Sequence, residues 1–319
     1  MKRILSALLA ALMVALALAG CASKPAEEKV YTVGICQLVT HEALDAATKG
    51  FKDALIEALG EEHVKFDEQN AAGSADVCAT IANNFASKNV DLILANATSA
   101  LQACANATAT IPILGTSITE YGVALGIDNF TGTVGGNISG TSDLAPLDQQ
   151  AQMIVDLVPG VKTVGLLYCS AEPNSAYQVK VVKDELSKKG VSASEYAFSD
   201  TNDVAAVAQK ASEECDALYI PTDNTAASCA PTIHGALTRK VPIVAGEEGI
   251  CRGCGVATLS ISYYDLGVAT GKMAAKILKG EAKVGEMPIE YAATFTKKFN
   301  PAFCEETGVT VPSDYVAIQ

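Results

Sequence analysis

The chain has 319 residues, of which 49% are hydrophobic and 6% aromatic, and its formal net charge is −13 at pH 7. This charge argues against nucleic-acid binding, because such proteins neutralise phosphates with clustered Lys and Arg side chains. Aromatic side chains are also too few, and tryptophan is absent, so broad stacking platforms for single-stranded bases are excluded. A chain of this length exceeds one comfortable hydrophobic core and predicts two lobes.

The N-terminus has the pattern of an export signal. Two basic residues precede a short apolar run that ends in Leu18-Ala19-Gly20-Cys21. The run is too short for a membrane-spanning helix, and a cysteine directly after Leu-Ala-Gly resembles the bacterial lipobox. We expect residues 1–20 to be a lipoprotein signal peptide and residues 21–30 to be a polar tether. Cys21 would then carry lipid, such as palmitate, and anchor the protein to the extracytoplasmic face of the cell membrane. An ordinary signal peptide with an incidental cysteine is the alternative.

From Tyr31 onward, brief apolar runs of strand length alternate with longer segments of helical period. Strands are predicted at Tyr31–Gln37, 64–68, 91–95 and 111–115. Helices are predicted between them at Glu42–Leu59, Ala75–Lys88 and 99–107. This alternation is typical of right-handed βαβ units and of a mainly parallel, doubly covered sheet.

The alternation pauses at residues 131–146, which are rich in Gly, Ser and Thr and predict a crossover. It then resumes, with strands predicted at 163–168, 193–198, 217–221 and 242–245 and helices at 148–157, 174–189, 203–214 and 225–238. A second crossover near 259–262 precedes a last helix at 264–279. The predicted fold is therefore α/β, with two doubly wound parallel-sheet lobes facing a ligand cleft. Residues 31–142 with about 262–290 would form the N-terminal lobe, and residues 143–261 with about 291–319 the C-terminal lobe.

Polar side chains follow most of the predicted strands. In open α/β sheets ligands bind outside the carboxyl ends of the strands, where helix N-termini present free N–H groups. Any one of these residues could simply cap a helix, but their recurrence in both lobes favours a polar cleft. The candidate ligand-binding residues from these segments are His41, Thr98, Ser99, Ala100, Thr116, Ser117, Glu172, Asn174, Ser175, Asp223, Asn224, Thr225, Glu247 and Glu248.

This set of side chains suits a zwitterion. A carboxylate could be held at the helix N-terminus near Ser99 by backbone N–H groups and by the hydroxyls of Thr98 and Ser99. An ammonium group could pair with Asp223, Glu247 or Glu248. Adjacent residues alternate faces in extended chain, so we expect only one of the two glutamates to face the cleft.

Six motifs in order along the chain carry a resemblance to a known family. They are 40–45 (THEALD), 69–73 (QNAAG), 140–143 (GTSD), 172–175 (EPNS), 220–225 (IPTDNT) and 246–249 (GEEG). They resemble those of the substrate-binding lipoproteins of ABC importers whose characterised type binds tryptophan or tyrosine. The resemblance implies a type I periplasmic-binding-protein fold and delivery of ligand to an ABC permease and its ATPase. It also implies ligand contacts in the strand-end segments, and it adds Ser142 and Asp143 to the candidate ligand-binding residues. Ser99 and Cys169 depart from the family pattern close to the cleft.

Nine cysteines follow Cys21. Most lie in apolar surroundings, where cysteine behaves as a small hydrophobic residue, and we predict buried thiols. Cys251-Arg252-Gly253-Cys254 could be a redox pair or half a zinc site, but the second CxxC or paired histidines that zinc needs are missing. We interpret it as a turn with two thiols and leave a disulfide between them open. No cofactor, metal site or catalytic residue is expected.

The predicted function is that of a monomeric, lipid-anchored binding protein. It would capture an amino acid, aromatic by resemblance, by closing about a hinge near residues 141–146 and 259–262. A sensor lipoprotein that presents its ligand to a receptor, and a nucleoside or sugar binder, remain alternatives. An extracellular hydrolase is more remote, since no nucleophile–histidine or paired-carboxylate arrangement is evident.

Overall fold

Two mainly parallel β-sheets organise the chain in the computed structural model, which describes residues 29–318. The expected signal peptide and Cys21 lie outside the described residues. Within the described range, no helix combines the length and hydropathy that a membrane span requires. Each sheet belongs to one lobe.

The N-terminal lobe contains a six-stranded, all-parallel sheet in the order β11-β5-β4-β3-β1-β2. Its strands are Tyr31–Gln37 (β1), Val64–Asn70 (β2), Leu92–Asn96 (β3), Ile113–Ile118 (β4), Ile138–Ser142 (β5) and Glu290–Tyr291 (β11). Its helices are Glu42–Leu59 (α1), Ala75–Lys88 (α2), Thr98–Ala107 (α3), Tyr121–Leu125 (α4) and Tyr263–Leu278 (α11). Both faces of this sheet are covered, because successive residues of β3 enter two different hydrophobic clusters.

The C-terminal lobe contains a seven-stranded sheet in the order β13-β12-β10-β9-β8-β6-β7, in which only the β10–β12 pair is antiparallel. Its strands are Thr163–Cys169 (β6), Ser192–Phe198 (β7), Ala217–Ile220 (β8), Ile243–Ala245 (β9), Ala257–Ser260 (β10), Thr296–Phe299 (β12) and Val316–Ala317 (β13). Its helices are Leu147–Leu157 (α5), Pro173–Lys188 (α6), Val204–Glu214 (α7), Asn224–Ser228 (α8), Ala230–Ala236 (α9), Glu248–Cys254 (α10) and Pro301–Thr307 (α12). Alternate residues of β8 pack on opposite sides, so this sheet is also doubly covered. The predicted α/β class with two doubly wound sheets is confirmed.

The chain passes between the two sheets at three places. It leaves β5 after Ser142 to enter the C-terminal lobe, returns between β10 and α11, and leaves again after β11 to form β12, α12 and β13. Neither lobe is therefore continuous in sequence.

Helices α1 and α11 pack unusually closely because glycines lie between them. A Cβ added to Gly267 would lie 2.0 Å from the carbonyl oxygen of Ala47, and one added to Gly50 would lie 2.1 Å from that of Tyr264. No real Cβ tolerates such distances, so backbone meets backbone at this contact. The contact fixes α11 to the N-terminal lobe immediately after the second crossing.

Three sequence predictions about local structure are wrong. Residues 131–146 were expected to be a crossover of turns; the crossover does follow Ser142, but the segment also contains β5, whose five residues are all buried. The helix predicted at 225–238 is two short helices that meet at Cys229, since Pro231 has no backbone N–H and fits only the first turn of α9. The CxxC segment is not a turn, because Cys251 and Cys254 both lie in α10.

The nine cysteines after Cys21 are all free thiols. Eight are buried and Cys229 is half-buried, which confirms the prediction of buried thiols. Burial is the largest cause that raises the pKa of Cys251 and Cys254, so both thiols stay protonated. In the described range, no group of three or more His, Cys, Asp or Glu side chains is arranged to hold a metal ion.

Candidate functional site

The carboxyl ends of strands from both sheets border an interlobe cleft. The cleft contains a cavity of about 320 Å³ whose lining residues come from both lobes. From the N-terminal lobe they are Leu38, Val39, Ala72, Gly73, Ala75 and Ser99, and from the C-terminal lobe they are Cys169, Ala171, Glu172, Ser199, Asp200, Thr201, Asn224, Thr225 and Ser228. The predicted residues Ser99, Glu172, Asn224 and Thr225 are thus brought together.

Helix α3 begins at the cleft without a side-chain cap. Its N-cap residue is Ala97, which has φ +89° and ψ 159°, a conformation that is rare outside glycine. The backbone N–H of Ala97 donates to the carbonyl of Thr116 at 3.1 Å, and this contact with β4 helps to hold the strained turn. The first N–H groups of α3, beside the half-buried Ser99, therefore have no side-chain partner, as an anion site requires.

Ser117, at the end of β4, adopts a left-handed conformation with φ +56°. Its hydroxyl is buried and has no hydrogen-bond partner. Its neighbour Thr116 instead accepts a hydrogen bond from Thr141 at 3.2 Å, and Thr141 contacts Thr270 of α11 at 2.8 Å. Thr116 thus belongs to a hydroxyl network inside the lobe. Ser142 also has local partners, since its hydroxyl donates to the carbonyl of Thr119 at 2.9 Å.

Asp143 lies at the first crossing between the lobes. One carboxylate oxygen, Oδ2, accepts a hydrogen bond of 2.8 Å from the phenol of Tyr263, at the second crossing. The other oxygen, Oδ1, is buried and has no partner. Burial raises the pKa of Asp143 above its usual value, because the ionised form loses its hydration. Within residues 29–318, no ion pair to this carboxylate is found.

Glu172 has so many partners within the C-terminal lobe that it acts as a structural anchor. Its two oxygens accept hydrogen bonds from the backbone N–H groups of Asn224 and Thr225, at 3.1 and 2.8 Å, and from both of their side chains, at 2.7 Å each. Asn174 donates to the same carboxylate at 3.2 Å. Glu172 therefore fixes the start of α8, while Oδ1 of Asn174 remains buried without a partner.

Asp223 is also occupied by its own lobe. Its Oδ1 accepts from the N–H of Ala226 at 2.8 Å, which caps α8, and its Oδ2 accepts from the N–H of Cys169 at 2.7 Å. Burial, together with the nearby charge of Glu172, raises the pKa of Asp223 to about 7. The structure therefore gives Asp223 backbone partners in place of the free carboxylate that pairing with an ammonium would need.

The two adjacent glutamates have different environments. Glu247 is buried and caps α10 by accepting from the N–H groups of Gly249 and Ile250, and burial raises its pKa to about 7. Glu248 forms ion pairs with Arg252 and Lys298. Both line a groove of about 170 Å³ that also contains Tyr263.

His41 joins the two lobes directly. It precedes α1 in the N-terminal lobe, and its Nε2 lies 3.3 Å from Oδ1 of Asn224 in the C-terminal lobe. Burial lowers the pKa of His41, so the ring is neutral at pH 7. Its Nδ1 is buried and has no partner.

Six buried side-chain polar atoms within residues 29–318 have no hydrogen-bond partner, and four of them belong to predicted site residues. These four are His41 Nδ1, Ser117 Oγ, Asp143 Oδ1 and Asn174 Oδ1. An unpartnered buried polar atom costs about 1–3 kcal/mol. None of these four residues is among those that line the cavity of about 320 Å³. Two other buried unpartnered atoms, on Asn96 and Thr258, lie within strands β3 and β10.

Sequence reasoning missed part of this site. Tyr263, whose phenol donates to Asp143, was not among the predicted site residues, although its position directly after the second crossover is a usable signal. Leu38, Val39 and residues 199–201 line the cavity from loops whose contacts arise only when the lobes face each other.

Comparison with known proteins decides the family. Residues 32–318 match the family described as ABC transporter substrate binding protein. The chain belongs to this family of ABC-transporter substrate-binding proteins. Like its relatives, it is a substrate-binding protein and not an enzyme.

This substrate-binding protein is 34% identical over 302 residues to the tyrosine-binding protein of Clostridioides difficile, covering 90% of the present chain and 87% of the relative. A solved domain from Streptococcus pneumonia in complex with L-Trp is 34% identical, with a TM-score of 0.85 and coverage of 89% and 97%. A ligand-free, open structure of a substrate binding protein with adhesive properties from Clostridium difficile is 36% identical, with a TM-score of 0.69 and coverage of 91% and 100%. At similar identity, the chain superposes better on the L-Trp complex than on the ligand-free, open structure, and its own lobes meet at contacts such as that between His41 and Asn224. The relatives also establish the type I periplasmic-binding-protein fold.

Proposed function

We propose that this substrate-binding protein captures a free amino acid with an aromatic side chain and passes it to an ABC permease for import. The observation that carries the proposal is the set of four buried, unpartnered polar atoms contributed by both lobes at the strand ends. A ligand that meets all four must bear both donors and acceptors, and a zwitterion does.

Each end of an amino acid has a suitable partner. Asp143 Oδ1 is an unpaired buried carboxylate oxygen and suits an ammonium group, whose charge would offset the cost of burying the carboxylate. The uncapped N-terminus of α3, with the hydroxyls of Ser99 and Ser117, suits a carboxylate. His41 from the N-terminal lobe and Asn174 from the C-terminal lobe complete the set.

The cavity supports a sizeable, partly apolar side chain. Its volume of about 320 Å³ exceeds what a small aliphatic amino acid needs, and leucine, valine and alanine side chains form part of its wall. The names of the relatives, which bind tyrosine or L-Trp, point the same way. None of the residues that line the described cavity is aromatic, which disfavours a sugar, because sugars usually stack on aromatic rings.

Calorimetric titration with L-tyrosine, L-tryptophan and L-phenylalanine tests the proposal directly. Tyramine lacks the carboxylate and 4-hydroxyphenylpropionic acid lacks the ammonium group, so each should bind at least about 100-fold more weakly than L-tyrosine. A nucleoside and a hexose serve as controls from other ligand classes. Tight binding of either control, with no binding of the amino acids, would overturn the proposal.

Delivery to a permease and anchoring by lipid at Cys21 belong to the same proposal. Cells that lack the protein should lose uptake of the radiolabelled amino acid, whereas a sensor role predicts unchanged uptake. A Cys21→Ser variant should move from the membrane fraction to the soluble extracytoplasmic fraction. If that variant stays with the membrane, the lipid anchor is wrong even if uptake depends on the protein.

A further inference from the structure

A chain of ion pairs crosses between the lobes beside the proposed ligand site. Arg252 of α10, in the C-terminal lobe, donates from Nε to Glu42 Oε2 at 2.8 Å and from Nη2 to Glu42 Oε1 at 3.0 Å. Glu42 is the first residue of α1, in the N-terminal lobe. This two-point geometry matches the guanidinium fork to the carboxylate and is the strongest form of such a pair.

The C-terminal lobe holds its side of this contact in position before the lobes meet. Arg252 also donates to Glu248 at 3.2 Å, one turn earlier in the same helix, and Glu248 pairs with Lys298 of β12. Two cations thus share one carboxylate within the lobe. Glu42 supplies the second carboxylate only when the lobes are closed.

The contact lies next to the proposed ligand site. Glu42 directly follows His41, which contacts Asn224 across the cleft at 3.3 Å. Thr40, His41 and Glu42 line a surface groove of about 370 Å³ together with Gly249 and Arg252. The first residues of α1 therefore meet the C-terminal lobe at two neighbouring points, one on the ligand side and one on the solvent side.

We propose that Glu42 and Arg252 form an interlobe latch that stabilises the closed state and thereby sets ligand affinity without touching the ligand. The inference rests on the binding function proposed above, in which ligand is held between closed lobes. Ligand affinity scales with the population of the binding-competent state, so loss of the latch weakens binding through the closing equilibrium. Both side chains are partly exposed, at 48% and 39%, so the effect is moderate and salt-sensitive.

Single-molecule FRET on ligand-free protein tests the latch independently of ligand identity. Fluorophores are placed through unnatural amino acids at exposed positions 65 and 210, one in each lobe. Glu42→Arg should lower the closed fraction about threefold or more at about 50 mM NaCl, and the difference should shrink at about 0.5 M. The swapped variant with Glu42→Arg and Arg252→Glu should restore the closed fraction, because it reverses both charges.

Lys183→Glu is the matched control, since Lys183 pairs with Glu195 within one lobe at 2.6 Å and with similar exposure of 44% and 42%. It should leave the closed fraction unchanged. If Glu42→Arg and wild type show the same closed fraction at low salt, or if the swap does not rescue, the latch is wrong. Addition of L-tyrosine forms a separate arm: failure of L-tyrosine to close the wild type counts against amino-acid binding, while the ligand-free comparison still judges the latch.

Discussion

Two buried aspartates, Asp143 and Asp223, differ in what their carboxylates contact. Asp223 accepts from two backbone N–H groups and caps a helix, whereas Asp143 accepts from one phenol and leaves Oδ1 without a partner. Sequence reasoning favoured Asp223, Glu247 or Glu248 as the partner of an ammonium group. The contacts favour Asp143 for that role, and they assign Asp223 and Glu247 to the ends of helices α8 and α10.

We expect Asp143→Asn to weaken binding of L-tyrosine by about 10- to 100-fold, because the variant keeps the shape but removes the charge that would pair with the ammonium. The melting temperature should stay the same or rise, since a buried ionised group is removed. Calorimetric titration and thermal melting measure the two effects. Asp148→Asn, on an exposed position of α5, is the control, and equal affinities of both variants and wild type would exclude Asp143 as the partner.

The raised pKa of Glu247 predicts a pH dependence of stability. Its pKa is about 7 in the folded protein, against 4.5 for the ordinary side chain. Between these values the unfolded chain loses the proton while the folded protein keeps it, so the free energy of unfolding falls as pH rises from about 4.5 to about 7. The stability of wild type relative to Glu247→Gln should therefore decrease across this window, on the order of 3 kcal/mol, and then level off.

Urea unfolding of both proteins at half-unit pH steps measures this difference. The comparison isolates Glu247 from His41, whose lowered pKa acts in the opposite direction below pH 6.5. A constant difference between the two proteins across the whole window would show that Glu247 is not proton-linked to folding.

Among the helices, α1 and α11 depend on the small size of residues at their contact. Gly267→Ala should lower the free energy of unfolding by about 1–3 kcal/mol, because the added methyl would lie 2.0 Å from the carbonyl oxygen of Ala47. Gly235→Ala in α9 is the matched control, as nothing lies within 4 Å of its added Cβ. Alanine there should stabilise by up to about 1 kcal/mol. Urea unfolding measures both effects. The packing argument is contradicted if the free energy of unfolding changes in the same direction in both variants.

Helices and strands were predictable from the sequence where a local pattern of apolar residues specifies them. Glu42–Leu59 and Ala75–Lys88 have the predicted bounds because their buried residues follow a helical period, and Tyr31–Gln37 has them because it is a short, continuously buried run of strand length. β5 was missed because Gly140 and its small neighbours look like a turn, yet a side chain at Gly140 would meet the backbone of Gly115 at 2.1 Å. β11 and β13 are two residues long and exist only through pairing with strands distant in sequence, which no local pattern reports.

At the scale of the whole molecule, lobe closure is the property that links structure to binding. Small-angle scattering of the protein with L-tyrosine should fit the closed structure described above, and the ligand-free protein should show a larger radius of gyration. Glycine, which cannot fill the cavity, is the control ligand. Identical scattering with and without a ligand shown to bind tightly would contradict a closure mechanism.

The two lobes and the polar strand ends were predictable because parallel sheets place their carboxyl ends at one edge. The sequence could not show which polar side chains hold helix ends and which remain available to a ligand. That distinction depends on which oxygens the backbone already occupies, as at Glu172 and Asp223, and this is a property of the folded chain.

The three passages of the chain between the sheets also set an order of assembly. The N-terminal lobe needs α11 and β11, which are made after most of the C-terminal lobe, and the C-terminal lobe needs β12 and β13, which are made after β11. The face that α1 presents to α11 therefore stays uncovered until the other lobe has been synthesised. Both cores become complete only after the segment from β11 to β13 has been made, and until then each lobe exposes apolar surface that favours aggregation.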